Sequence, residues 1–441
     1  MFGYRKLHVV ILARLWNLLS GLLLVFVSSN VFSAVEQGVM YTFLSLAAAQ
    51  FFFDLGVGVV LANIAGRNAS GNAEDSDYTS EELKYLNSIT TFALKWSFVA
   101  GTILIAILGV IGWVLFADDQ QVGANLQTIW LAYVVLVACS MSFHLFLRLF
   151  EGLGFVVESA IARSVQSAAN IAVIYLLAIY GMGIISMVVA LFIALIAACI
   201  YFLASSSKIR SACRPSLAVK GIINWRKDVY PFQSKVAVSW LAGYVIFQSQ
   251  VPILYSLAGP IQAGQLGIAV QIFQSLNTSA NIFLTYNIKD WTRLSVNDDM
   301  QALNKSFMRT LALTLGITIV GCIAIVGGIF IIRHLGWQMA VRFPDLSLLI
   351  LFAIAACFNQ IFFCLGYYFR AQGREPLWWV SVIAAIAILI VPAILWQSFD
   401  ITAAIWSFLF VSVVILSVLS SIYSLFFIKK DKRPTTSQEE I

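Results

Sequence analysis

The chain has 441 residues, of which 61% are hydrophobic and only 11% charged, and its mean hydropathy is +0.90. A soluble domain carries roughly a quarter charged residues, so most of this surface must face hydrocarbon. The formal net charge is +6, but the Lys and Arg lie between apolar runs rather than on one face, which excludes a nucleic-acid-binding protein and points to membrane topology.

The chain begins with the basic stretch Met1–His8 and enters an apolar run that reaches Phe32. That run is too long for a signal-peptide core, so it is predicted as an uncleaved first span. A span needs about 20 mostly apolar residues. That length predicts about twelve transmembrane helices, near 9–32, 39–63, 89–116, 127–148, 160–180, 182–204, 235–257, 263–287, 307–332, 345–369, 376–397 and 401–428. The eighth carries Gln265, Gln271, Gln274, Asn277, Asn281 and Asn287. So polar a span should face a cavity or other helices, not lipid.

Twelve spans with a cytoplasmic start put nearly all of the 27 Lys and Arg on the inside. The exceptions are Arg333 and Arg342 in outside loops and Arg14 and Lys95 within spans. This is a strong positive-inside pattern, and it predicts both termini in the cytoplasm. The expected organisation is an all-α polytopic protein with two six-helix lobes around a central cavity. The lobes are 1–204 and 235–428, joined by a basic cytoplasmic linker over 205–234 and followed by a tail over 429–441. The linker holds Lys208, Arg210, Arg214, Lys220, Arg226 and Lys227, a composition attracted to anionic lipid headgroups.

The halves show a faint repeat. Glu36-Gln37-Gly38 opens the second span and Gln262-Ala263-Gly264 the eighth, and the runs Gly38–Arg67 and Gly264–Arg293 have equal length. Arg148-Leu-Phe-Glu-Gly152 after the fourth span matches Arg370-Ala-Gln-Gly373 after the tenth. Halves of even span number share one orientation and are related by an axis along the membrane normal, an architecture of alternating-access carriers.

A charge at bilayer depth is costly and faces a cavity or a partner. Arg14, Asp54 and Lys95 are such charges, all in the first half. Arg14 and Lys95 suit an anionic substrate group, and Arg14 could hold a phosphate in a planar fork. Asp54 suits ion coupling. Against this stands a plain Arg–Asp or Lys–Asp packing pair, with Lys95 reaching the interface by snorkelling. Asn277 and Asn281 share a helix face, and Asn359 and Gln360 add amides to the tenth span. Amides donate and accept, so they fit sugar hydroxyls and interhelical bonds equally. Pro252, near Gln248 and Gln250, predicts a kink in the seventh span. His144 reads as a packing residue.

The six cysteines form no CxxC or Cys/His set, the three histidines are scattered, and there is no Walker A, dinucleotide loop or HExxH. No metal or cofactor is expected. Energy must come from an ion gradient, the membrane potential, the substrate gradient or another protein.

Glu36-Gln37-Gly38, Tyr41, Phe43, Ser45-Leu46, Gln50, Phe53-Asp54-Leu55-Gly56 and Gly58, with Arg148, Glu151-Gly152-Leu153-Gly154 and Arg163, carry a resemblance. The stretch Gly21–Arg67 resembles the oligosaccharide and O-antigen flippases of the polysaccharide transporter family. That family belongs to the superfamily that also holds the MATE multidrug exporters and the lipid II flippases. The specific similarity covers mainly the first 170 residues, and Asp54 stands where the family often has Glu.

The resemblance implies a non-enzymatic flippase. It would carry an undecaprenyl-pyrophosphate-linked oligosaccharide from the inner to the outer leaflet of a bacterial cytoplasmic membrane. A monomer among membrane lipids is expected, since each half already completes the cavity, with a polysaccharide polymerase and chain-length machinery as candidate partners. One alternative is a MATE-like ion-coupled exporter of small solutes, whose often cationic substrates call for an acidic cavity. A membrane-embedded polymerase or ligase is a third, opposed by external loops of only about a dozen residues, near 117–126 and 333–344.

Overall fold

A computed structural model describes residues 2–53, 57–58, 61–62, 65, 80–117, 125–212, 230–395 and 400–431. Every described segment of regular structure is helical. That is what lipid demands, because a helix satisfies its own backbone hydrogen bonds. The protein is an all-α polytopic membrane protein.

The expected spans fall on helices wherever they are described. Among the described residues, seven helices are long and apolar enough to cross a membrane by themselves: Leu86–Leu115, Leu126–Gly152, Val156–Ile179, Ile185–Ser205, Met300–His334, Leu346–Ala371 and Ile401–Phe426. The bent pair Val238–Gln248 and Gln250–Ala258 makes an eighth, broken by 41° just before Pro252. Leu19–Val31 and Trp378–Pro392 are shorter apolar helices. Pro260–Val296 is a helix too, but its amides lower its hydropathy. Of the second expected span, Ala34–Ala47 and Gln50–Phe53 are helical, and much of the stretch 54–79 lies outside the described residues.

Several helices outrun the membrane. Ser80–Leu115 has 36 residues and Pro260–Val296 has 37. At 1.5 Å per residue each is about 55 Å long, against a hydrocarbon core of about 30 Å. The connection expected over 288–306 shrinks accordingly to three residues, 297–299. Asp298 turns the chain with a φ of 57°, and the Asp299 carboxylate accepts from the Ala302 amide at 3.0 Å to cap Met300–His334. Lys289, Arg293, Lys305 and Arg309 therefore sit on helix ends rather than in a loop. On the 333–344 connection, Arg333 donates to the Phe343 carbonyl at 3.2 Å and also to that of Pro344, which makes it a loop clasp.

The chain divides into two compact units. The first is Met1–Tyr244 with Val251–Ile268, and the second is Val245–Gln250 with Ala269–Ile441. In the first, Val156–Ile179 packs on Ile185–Ser205 and on Phe2–Val31, and Ser80–Leu115 packs on Leu126–Gly152. Trp16 Nε1 donates to Ser167 Oγ at 2.9 Å across one of these contacts. The core holds an aromatic cluster of Phe43, Phe116, Trp130, Tyr133 and Tyr255, with Phe43 and Trp130 edge-to-face at 4.8 Å. Trp130 Nε1 is satisfied by the Leu108 carbonyl at 2.8 Å.

The motif residues of the second span have structural partners here. Ser33 and Glu36 form a capping box that starts Ala34–Ala47. Gly38 lies so close against Pro260 that a Cβ would overlap the Pro260 carbonyl oxygen. A Cβ on Gly264 would stand 3.0 Å from the Gly38 nitrogen. The two glycines matched by the faint repeat thus face each other. Tyr41 shares a hydrogen bond with Ser28 at 3.1 Å. Glu151 pairs with Arg163, and a Cβ on Gly152 would overlap the Ala62 carbonyl oxygen. His144 bonds to Gln166 at 2.8 Å, and Gln166 donates to Ser140 at 3.2 Å.

In the second unit Leu346–Ala371 is the central helix. It packs on Met300–His334 and on the continuous segment Ile401–Asp431, whose middle, Val411–Leu419, is π-helical. Gln250 Nε2 donates to the Ala404 carbonyl at 3.2 Å and to Ser407 Oγ at 3.3 Å, tying the start of Gln250–Ala258 to that segment.

Candidate substrate cavity

The second unit contains a cavity of about 220 Å³ lined by residues of four helices. Its polar wall comes from Pro260–Val296, where Gln274, Asn277, Thr278 and Asn281 stand at i, i+3, i+4 and i+7 on one helical face. Leu346–Ala371 contributes Phe352, Ala356, Asn359 and Phe363, again at one-face spacing. Phe247 and Phe408 complete the lining with Val270 and Phe273. The aromatic rings touch in sequence: Phe363 to Phe247 at 5.5 Å, Phe247 to Phe408 at 6.2 Å, Phe408 stacked on Phe352 at 4.7 Å, and Phe352 to Phe273 at 5.3 Å.

The amides differ in how they are satisfied. Gln274 is held at both ends, accepting from Gln248 Nε2 at 2.9 Å and donating to the Phe247 carbonyl at 3.4 Å. Asn281 Oδ1 accepts from Gln360 Nε2 at 3.1 Å. Asn277 and Asn359 are 8% and 1% exposed, and each leaves its Oδ1 without a hydrogen-bond partner. A buried acceptor in that condition costs about 1–3 kcal/mol. The cavity lining therefore includes two acceptors that a donating ligand would satisfy. None of its lining residues carries a formal charge.

The fold thus gathers Asn277, Asn281 and Asn359 around one space, with Gln360 bonded to Asn281. Lys95 belongs to the first unit, where it is exposed on Ser80–Leu115, and it does not line this cavity. The Arg14 side chain and the whole of Asp54 lie outside the described residues. The aromatic wall was missed from the sequence. Its signal was the spacing of Phe352, Ala356, Asn359 and Phe363, which is legible as one helical face once Asn359 is taken as a marker.

No protein-family model matches the chain, and no curated protein matches it in sequence. Solved structures do. An inward-facing multidrug-resistance MATE family transporter of the MOP superfamily superposes with a TM-score of 0.68 at 12% identity, covering 98% of this chain and 99% of that one. The lipid II flippase MurJ in an inward closed conformation gives 0.60 at 15% identity, covering 95% and 87%. The MATE multidrug transporter DinF-BH gives 0.56 at 16% identity, covering 97% and 95%. At such identities the likeness lies in the fold: this chain folds as MOP-superfamily transporters and the MurJ flippase do.

Proposed function

We propose that this protein is a flippase that moves an undecaprenyl-pyrophosphate-linked oligosaccharide, an O-antigen or other surface repeat unit, from the inner to the outer leaflet of a bacterial cytoplasmic membrane by alternating access. Fold likeness to a lipid II flippase supports a lipid-linked substrate. The observation that carries the reading is the cavity lined by amides and phenylalanines without a charge. Amides match hydroxyls in both directions, and apolar ring faces match the C–H faces of sugars. Such a lining lowers the cost of stripping water from a glycan, which is the main barrier to its crossing.

In this reading the six-helix lobes 1–204 and 235–428 alternate about the linker 205–234. Arg14 and Lys95 bind the pyrophosphate, Asp54 couples the cycle to an ion or to the membrane potential, and both termini are cytoplasmic. The second reading is a MATE-like exporter of small solutes, favoured by the likeness to the multidrug transporter DinF-BH. Against a cationic cargo stands the lack of any carboxylate in the cavity lining.

Proteoliposomes holding the full chain and fluorescently labelled lipid-linked oligosaccharide test the choice. A membrane-impermeant quencher should reach the label faster than in protein-free vesicles. Vesicles that instead accumulate a cationic dye, with no movement of the lipid-linked glycan, would replace the flippase by the exporter.

A further inference from the structure

Resting on the flippase reading, we infer that the cavity of the second unit is a subsite for one uncharged sugar ring and discriminates against acidic sugars. Its volume, about 220 Å³, falls below the ~300–1,000 Å³ of sites that enclose drug-sized ligands. It suits one ring rather than a whole repeat unit.

The chemistry of the lining sets the selectivity. The amide oxygens of Asn277 and Asn359 are without partners, and both residues line the cavity. A sugar hydroxyl supplies the missing donor to each. A uronic acid carboxylate has no donor of its own and would set its charge against these oxygens. Lys and Arg are absent from the lining, so nothing offsets the charge. Moving an uncompensated carboxylate out of water is far more costly than moving a hydroxyl that gains a partner. Five phenylalanines, Phe247, Phe273, Phe352, Phe363 and Phe408, form the remaining walls and provide flat faces for a pyranose.

A planar organic cation is the competing occupant, since phenyl faces attract cations and amide oxygens accept from ammonium groups. Its desolvated charge would meet no carboxylate among the lining residues, so the neutral ring fits better.

Ligand-observed NMR with the full-length protein in lipid nanodiscs tests the inference. The probes are a methyl hexopyranoside, the corresponding methyl hexuronate and a rhodamine-type cation. The hexopyranoside should bind and the hexuronate should bind at least about tenfold more weakly. Asn277→Ala and Asn359→Ala should each weaken the hexopyranoside about fivefold or more, the loss of roughly one hydrogen bond. Asn359→Gln keeps an uncharged amide acceptor at this position, so it should retain hexopyranoside binding better than Asn359→Ala does. Equal binding of the two sugars, undetectable binding of the hexopyranoside, or its displacement by the rhodamine cation with tighter affinity would each overturn the inference.

The flippase reading fails separately. If lipid-linked glycans do not move in vesicles while the sugar selectivity persists, the reading falls and the subsite stands. If neutral and uronate-bearing lipid-linked glycans move equally fast and Asn359→Ala changes neither, the subsite falls and the reading stands.

Discussion

Asn277 and Asn359 leave their oxygens without partners, whereas Gln360, whose own Oε1 is also without a partner, donates through Nε2 to Asn281 Oδ1 at 3.1 Å. That difference predicts opposite behaviour under substitution. Gln360→Ala deprives Asn281 of its partner and opens a void beside a fully buried position, so it should lower stability by about 1–3 kcal/mol. Asn359→Ala removes an acceptor that was never satisfied. It should keep or raise the thermal midpoint while lowering glycan transport. Thermal unfolding of the purified variants beside the vesicle assay separates the two, and a large stability loss in Asn359→Ala would contradict the assignment. For the first half, Asp54→Asn should abolish the gradient-dependent part of transport and Asp54→Glu should keep much of it. Transport by Asp54→Asn that responds to an imposed gradient like the parent would make Asp54 a packing partner instead.

Among the helices, the crossing of Ala34–Ala47 with the start of Pro260–Val296 leaves the least room. A methyl at Gly38 would overlap the Pro260 carbonyl oxygen, and backbone cannot rotate away as a flexible side chain can. Gly38→Ala should therefore force the helices apart and cost folding yield or several degrees of thermal midpoint. Gly264→Ala meets the Gly38 nitrogen at 3.0 Å and should be milder. Equal stability of Gly38→Ala and the parent, read by fluorescence size exclusion after heating, would mean that the two helices have room to spare. The same elements explain what the sequence motif encodes. Glu36 caps a helix, Gly38 admits a neighbour, Tyr41 bonds Ser28, and Glu151 pairs with Arg163. These residues hold the fold, so their resemblance to flippases speaks to architecture more than to cargo.

For the molecule as a whole, the distribution of charge predicts topology. Reporter fusions at Asp118 and Gln338 should report outside, and fusions at Lys220 and Lys432 inside. A reversed signal at any one site would overturn the twelve-span arrangement. The helices that project beyond the membrane do not alter this expectation. Lys289, Arg293, Lys305 and Arg309, which the positive-inside pattern assigns to the inside, lie toward the adjoining ends of Pro260–Val296 and Met300–His334.

The positions of the spans were legible in the sequence because lipid leaves a backbone few solutions. An apolar run of sufficient length must be helical, whatever its neighbours are. The amide-rich character of the 260–296 segment was equally plain, as was its need to avoid lipid. Only the tertiary structure decided which amides pair and which stay open. Asn281 and Gln360 lie 79 positions apart, and whether they meet depends on the register between two helices, which no local pattern encodes. The phenylalanine wall has the same origin. Phe247, Phe352 and Phe408 are ordinary apolar residues in ordinary apolar runs, and they become one cavity wall only where three helices converge. Loop length was misjudged for a related reason. A polar run between two spans reads as a connection, yet Asp299 caps a helix there and the chain turns within three residues, because a helix in water needs a cap and good partners rather than an apolar face all round.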